Sequence, residues 1–159
     1  MKTLARNSTD TAAEPNERRG WMRVLARATG QDIAARLDGC GPLPECHALR
    51  GPETGLVMVR GRAGGGGAPF NLGELTVTRC TIRTPGGIVG HAYIAGRDKE
   101  AARLAAIVDA LLQDPDRAQT VHAQVIAPLA AAQRARCENI ARKAAATKVQ
   151  FFTLSSMRT

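Results

Sequence analysis

Aromatic side chains are scarce: three Phe, one Trp and one Tyr in 159 residues, or 3% of the chain. Single-stranded nucleic acids are held largely by aromatic platforms under the bases, so this scarcity argues against such a ligand. No recognised DNA- or RNA-binding signature is present either. Cysteine is also sparse. Cys40, Cys46, Cys80 and Cys137 form no Cys-x-x-Cys pair, and the Cys46-His47 doublet with Cys40 lacks zinc-finger spacing. They read as small buried hydrophobes or surface thiols, and no metal site is expected. His47, His91 and His122 fall in different predicted elements, so no Ser-His-Asp or Cys-His constellation can be drawn. An N-terminal apolar leader core is missing, as is any apolar run long enough to span a bilayer. A cytoplasmic location with reduced cysteines is expected, with no membrane partner.

Positive charge, by contrast, is plentiful. The net charge is +8 and the pI about 10.2, which favours an anionic partner. Alanine supplies roughly one residue in six, well above ordinary usage. Small side chains bury little area each, so a lone domain built this way would be weakly held. Two readings stay open: a subunit that completes its burial against partners, or an ordinary alanine-rich protein.

Residues 53–97 dominate the middle of the chain. Three β-branched, alternating runs are separated by glycine-rich turns, the pattern of an antiparallel meander. Thr84-Pro85-Gly86-Gly87 reads as a type II turn, with proline presetting φ and glycine following. Leu56, Met58, Arg60 and Arg62 share one face of the first strand, and His91 and Tyr93 share a face of the third. On the second strand Leu75, Val77 and Arg79 lie together but Cys80 and Ile82 lie opposite. That phase change implies a bulge near Thr78, or a strand buried on both sides. Arginines placed within a sheet must meet Glu53 or Glu74, carboxylates across an interface, or substrate anions. His91 beside Tyr93 reads as a proton carrier or as a satisfied sheet histidine. The glycines at 64–67 lack the Gly-Lys-Ser/Thr ending of a phosphate loop and precede a strand, which favours a flexible hairpin connection.

Residues 1–16 read as a disordered polar extension, 17–154 as a single domain and 155–159 as a tail. Asn16 is positioned to cap a first helix through about residue 28, with a second over 31–37, forming a hairpin against the sheet. Residues 46–50 read as a fourth, edge-like strand. Asp98 suits the N-cap of a helix carrying Leu104, Ile107, Val108 and Leu111 on one face. A further stretch over 116–127 ends where Pro128 breaks or kinks it. The last helix, 128–147, carries Leu129, Cys137, Ile140, Ala141 and Ala144 inward, and 149–154 reads as a final strand or an apolar docking tail. The expected fold is α+β: an N-terminal helical hairpin, an antiparallel meander of four or more strands, C-terminal helices and that short terminal strand or tail.

Several short stretches then take on a joint meaning. They are Gly20-Trp21-Met22-Arg23-Val24-Leu25-Ala26, Glu53-Thr54-Gly55-Leu56-Val57, Gly67-Ala68-Pro69-Phe70-Asn71-Leu72-Gly73-Glu74 and Thr78-Arg79-Cys80. Gly96-Arg97-Asp98-Lys99, Asp109-Ala110-Leu111, Ile126-Ala127-Pro128-Leu129 and Phe151-Phe152-Thr153 follow in order. Together they closely resemble the PhnG family, subunits of the bacterial carbon–phosphorus lyase core complex, over residues 21–153. The resemblance implies a part in phosphonate breakdown and assembly with PhnH, PhnI and PhnJ in a two-fold symmetric core. With PhnI, PhnH and PhnL, such a subunit would support displacement of adenine from ATP by an alkylphosphonate, giving ribose 1-alkylphosphonate 5-triphosphate.

The resemblance places the nucleosidase chemistry on PhnI and offers no catalytic residue to carry over. No cofactor of the chain's own is expected; ATP and the alkylphosphonate are substrates of the complex. Arg60, Arg62, Glu74, Arg79 and His91 are the candidates for substrate or interface contact. The alternative is a basic nucleic-acid-binding or stand-alone interaction module.

Overall fold

Alternating runs rich in Val, Thr and Leu form β1 (His47–Gly61), β2 (Phe70–Arg83) and β3 (Val89–Ala95). They pair antiparallel in the order β1-β2-β3. The computed structural model describes residues 15–62 and 67–149. Its helices are α1 (Pro15–Leu25), α2 (Gly30–Leu37), α3 (Lys99–Leu112), α4 (Pro115–Val121) and α5 (Ala127–Ala146). A single 3₁₀ turn, Asp38–Cys40, closes α2, and a π-turn, His122–Ile126, joins α4 to α5.

The α+β expectation holds, but the sheet has three strands among the described residues. The expected edge strand over 46–50 is the beginning of β1. The strand passes through Gly51-Pro52 with register shifts between Ala48 and Arg50 and between Arg50 and Glu53. β1 lies at the sheet edge, where a proline lacking its N–H forfeits no ladder bond. β2 runs through Thr78 without a bulge and is buried on both sides at Val77 and Thr78. The Thr78 hydroxyl donates to the Gly96 carbonyl at 2.7 Å and lies 3.0 Å from Thr54 Oγ1. In the second hairpin the Gly87 N–H bonds Thr84 O, but the positive φ falls on Gly87, not on Gly86 as a type II turn requires.

α3 is the spine of the unit formed by residues up to Leu129. Asp98 caps it, its carboxylate accepting from Ala101 N at 2.8 Å. One side of α3 covers Cys80, Ile82, Ala92 and Ile94 of the sheet; Trp21, Leu25, Ile33 and Leu37 of α1 and α2 join the same core. α1 and α2 each pack on α3 rather than directly across the sheet. The alanine excess has a local use here. Ala101, Ala102, Ala105, Ala106 and Ala110 are all buried, and a Cβ at Gly90 would collide with Ala106 O and Ala110. Small residues let the backbones of β3 and α3 approach closely.

Three helical expectations are corrected. α1 begins at Pro15, so Asn16 lies within its first turn instead of capping it. Pro128 does not end the helical run: it sits in the opening turn of α5, just after a π-turn that interrupts the regular α-helix. The wider turn accommodates a ring that would clash in an unbroken α-helix. In α5 only Leu129 of the expected inward set is buried; Cys137 is exposed and Ile140 is 58% exposed. The expected terminal strand over 149–154 lies outside the described residues apart from Val149, as do residues 1–14 and most of the glycine tract.

Candidate functional site

The two faces of the sheet differ in chemistry. Where α3 covers it, the sheet is apolar; the other face is open, with Arg79, Arg83, His91 and Tyr93 exposed. Register places Arg79 between Glu53 of β1 and Tyr93 of β3, and Thr81 between Arg50 and His91. Glu53 Oε1 accepts from Arg79 Nε at 2.7 Å and from Arg50 Nη1 at 2.8 Å, so one carboxylate bridges two guanidinium groups. His91 Nδ1 lies 3.2 Å from Thr81 Oγ1.

Of the predicted site residues, Arg79 and His91 thus share the open face. Arg60, near the end of β1, and Arg62, just after it, lie well away; Arg60 Nη2 donates to Pro69 O at 3.4 Å. Arg62 and Glu74 make no ion pair among the described residues, and Glu74 stands opposite Met58. The strand arginines are exposed, so the desolvation cost expected for them does not arise. Arg79 meets Glu53, as internal pairing required.

Beyond Gly55 the β1–β2 pair continues as a two-stranded ribbon with apolar residues on both faces. Leu56 and Met58 lie on the face continuous with the core; Val57, Val59 and Leu75 lie on the face continuous with Arg79. Leu56 is 63% exposed, Met58 54% and Leu72 53%, and Phe70 and Leu75 are nearly as open. A register shift between Val59 and Arg60 leaves Leu72 unopposed, its side chain lying over Gly61. An apolar surface of this kind on a monomer marks a contact site.

Sequence reasoning missed the polar joint beneath the sheet. Asp109 of α3 is fully buried and accepts from Arg18 Nη2 at 2.7 Å and Nε at 3.2 Å, and from Trp21 Nε1 at 2.9 Å. It also accepts from the His91 backbone N–H at 2.8 Å and lies 3.3 Å from Gln113 Nε2. The available signal was its position, a carboxylate between Val108 and Ala110 in the apolar stripe of α3. Nearby, Glu17, Gln119 and His122 rim a cavity of about 550 Å³ floored by Trp21, Val24, Leu112 and Ile126. Burial raises the thiol pKa values of Cys40, Cys46 and Cys80. Its hydrogen bond to Arg103 holds Glu100 below the usual carboxylate range. Among the described residues no three His, Cys, Asp or Glu side chains converge in a metal-ligand arrangement, and no helix is long and apolar enough to cross a membrane.

The family described as Phosphonate metabolism protein PhnG matches residues 16–157. The chain belongs to the PhnG family. It is similar to the alpha-D-ribose 1-methylphosphonate 5-triphosphate synthase subunit PhnG of Rhizobium meliloti (strain 1021), at 48% identity over 157 residues and 97% of each chain. In this PhnG-family chain Trp21 and Asp109, from separate stretches that carry the resemblance, meet at the buried joint. Glu53 and Arg79, from two others, pair on the open face.

Proposed function

We propose that this chain is the PhnG subunit of an α-D-ribose 1-alkylphosphonate 5-triphosphate synthase, acting with PhnI, PhnH and PhnL and joining PhnJ in a two-fold symmetric core. The observation that carries the reading is its 48% identity, across 97% of both chains, to a synthase subunit of that name. The apolar ribbon supports it, because a surface apolar on both faces suits a subunit contact. In the reaction an alkylphosphonate displaces adenine from C1′ of ATP, both being substrates of the cytoplasmic complex. The reacting groups belong to PhnI, while this chain supplies shape and positive charge. Arg79 and His91 on the open face, and Arg60, Arg62 and Glu74 on the ribbon, serve the interface rather than the chemistry.

Co-expression with PhnI and PhnH tests this directly. The assembled complex, completed with PhnL, should release adenine from ATP and methylphosphonate, and the chain alone should release none. Met58→Asp with Leu75→Asp places a charge on each ribbon face and should abolish co-purification, since a buried unpaired carboxylate is strongly disfavoured. Arg79→Lys should leave turnover per assembled complex nearly intact. Adenine release by the chain alone, or normal assembly of the double Asp variant, would overturn the reading.

A further inference from the structure

We propose that residues 130–146 of α5 are a docking helix for an acidic surface of another subunit, with an apolar centre flanked by carboxylates. The inference rests on the subunit reading above and adds to it a second contact and its chemistry. Beyond Leu129 no residue of the helix is buried; Ala130 and Gln133 are half-buried and the rest are exposed. The segment is helical without burial because Ala, Arg and Lys have high intrinsic helix propensity.

Its surface is nevertheless ordered into a seam. Ala130, Gln133, Cys137, Ile140 and Ala144 recur at i, i+3, i+7, i+10 and i+14 on one stripe of the helix, which is apolar from Cys137 onward. In that apolar part Cys137 and Ala144 are small, so a partner's backbone can approach closely beside Ile140. Arg134 borders the seam on one side and Arg136 and Lys143 on the other, the positions that select a partner by charge in paired helices. None of these cations makes an ion pair among the described residues. Glu138, one turn from Arg134 and from Arg142, pairs with neither.

The charge decides the occupant. A second copy of the helix would set cations against cations, which is unfavourable. Nucleic acid would meet the cations but gain nothing from Cys137 and Ile140. Carboxylates flanking an apolar ridge satisfy both features at once.

Cys137 makes the seam measurable, because its thiol is exposed while Cys40 and Cys80 are buried. The test compares maleimide labelling of the full chain alone with labelling in the co-purified synthase complex, the Cys137→Ser variant giving the background. Cys137 should react at least tenfold more slowly in the complex. Arg134→Glu, Arg136→Glu and Lys143→Glu together should weaken association at least tenfold while the circular dichroism of the chain is kept. Equal labelling of Cys137 in an intact complex would overturn the docking helix and leave the subunit reading standing. Protection of Cys137 with unchanged affinity of the charge-reversed variant would overturn the acidic chemistry. Nucleic acid that co-purifies with the wild type and is lost on charge reversal would overturn the proposal in favour of that ligand. Failure of the wild-type chain to form any complex would overturn both readings.

Discussion

Asp109 and Arg79 illustrate how differently two ion-paired residues serve a fold. Arg79 and Glu53 are each about half exposed, and such a pair contributes only about 0–1 kcal/mol, so its value lies in the face it shapes. Asp109 is buried and ties α3 to α1 and β3 through donors from both, with Gln113 just beyond α3 adding another. Asp109→Ala would strand the Trp21 indole N–H and the His91 amide, at about 1–3 kcal/mol for each unpaired group. Arg18, whose side chain is 33% exposed, can turn to water and adds less. The variant should lose about 3–5 kcal/mol, seen as a melting point about 10 °C lower or more. A wild-type melting curve for Asp109→Ala would remove this residue from its central place. The place of Asp109 in the apolar stripe of α3 hints at a buried partner but does not name it, because Arg18 and Trp21 lie 91 and 88 residues away.

At the scale of elements, β3 and α3 approach closely where they cross at Gly90. A methyl group on Gly90 would meet the backbone of Ala106, and a backbone carbonyl cannot yield as a flexible side chain does. Gly90→Ala should therefore fall at the upper end of overpacking costs, about 3 kcal/mol, measured by urea denaturation. An unchanged midpoint would mean that strand and helix can separate freely.

The strands themselves were legible from alternation, as were the α3 stripe and its Asp98 cap, because these signals are local. The strand count was not, since register shifts let β1 run on through Gly51 and Pro52 and join residues 46–50 to the strand that follows. Nor was the fate of α5. Periodicity picked out Cys137, Ile140 and Ala144 as one face, but a stripe names no occupant, and the chain itself buries only Leu129. The site divided the same way: pairing of a strand arginine with Glu53 was one of several partners that the sequence left open, whereas the apolar ribbon depends on no described helix covering Leu56 and Met58.

For the molecule as a whole, a net charge of +8 and an uncovered apolar ribbon act at different stages of encounter. Long-range attraction speeds encounter with a negatively charged surface and is screened by salt; apolar contact holds a bound surface and is not. Raising the salt from about 0.05 to 0.5 M should slow association with the partner subunits about tenfold or more while dissociation changes little, as stopped-flow mixing would show. Salt-independent association would place the basic residues outside the docking path. The ribbon also carries a liability in the cell. A newly made chain bears two apolar strand faces before any partner arrives, and exposed strands of this kind seed aggregation and invite proteolysis. Its abundance should therefore follow that of its partners. Excess copies would be cleared rather than stored, so the stoichiometry of the complex would be enforced after translation by the fate of unpaired chains.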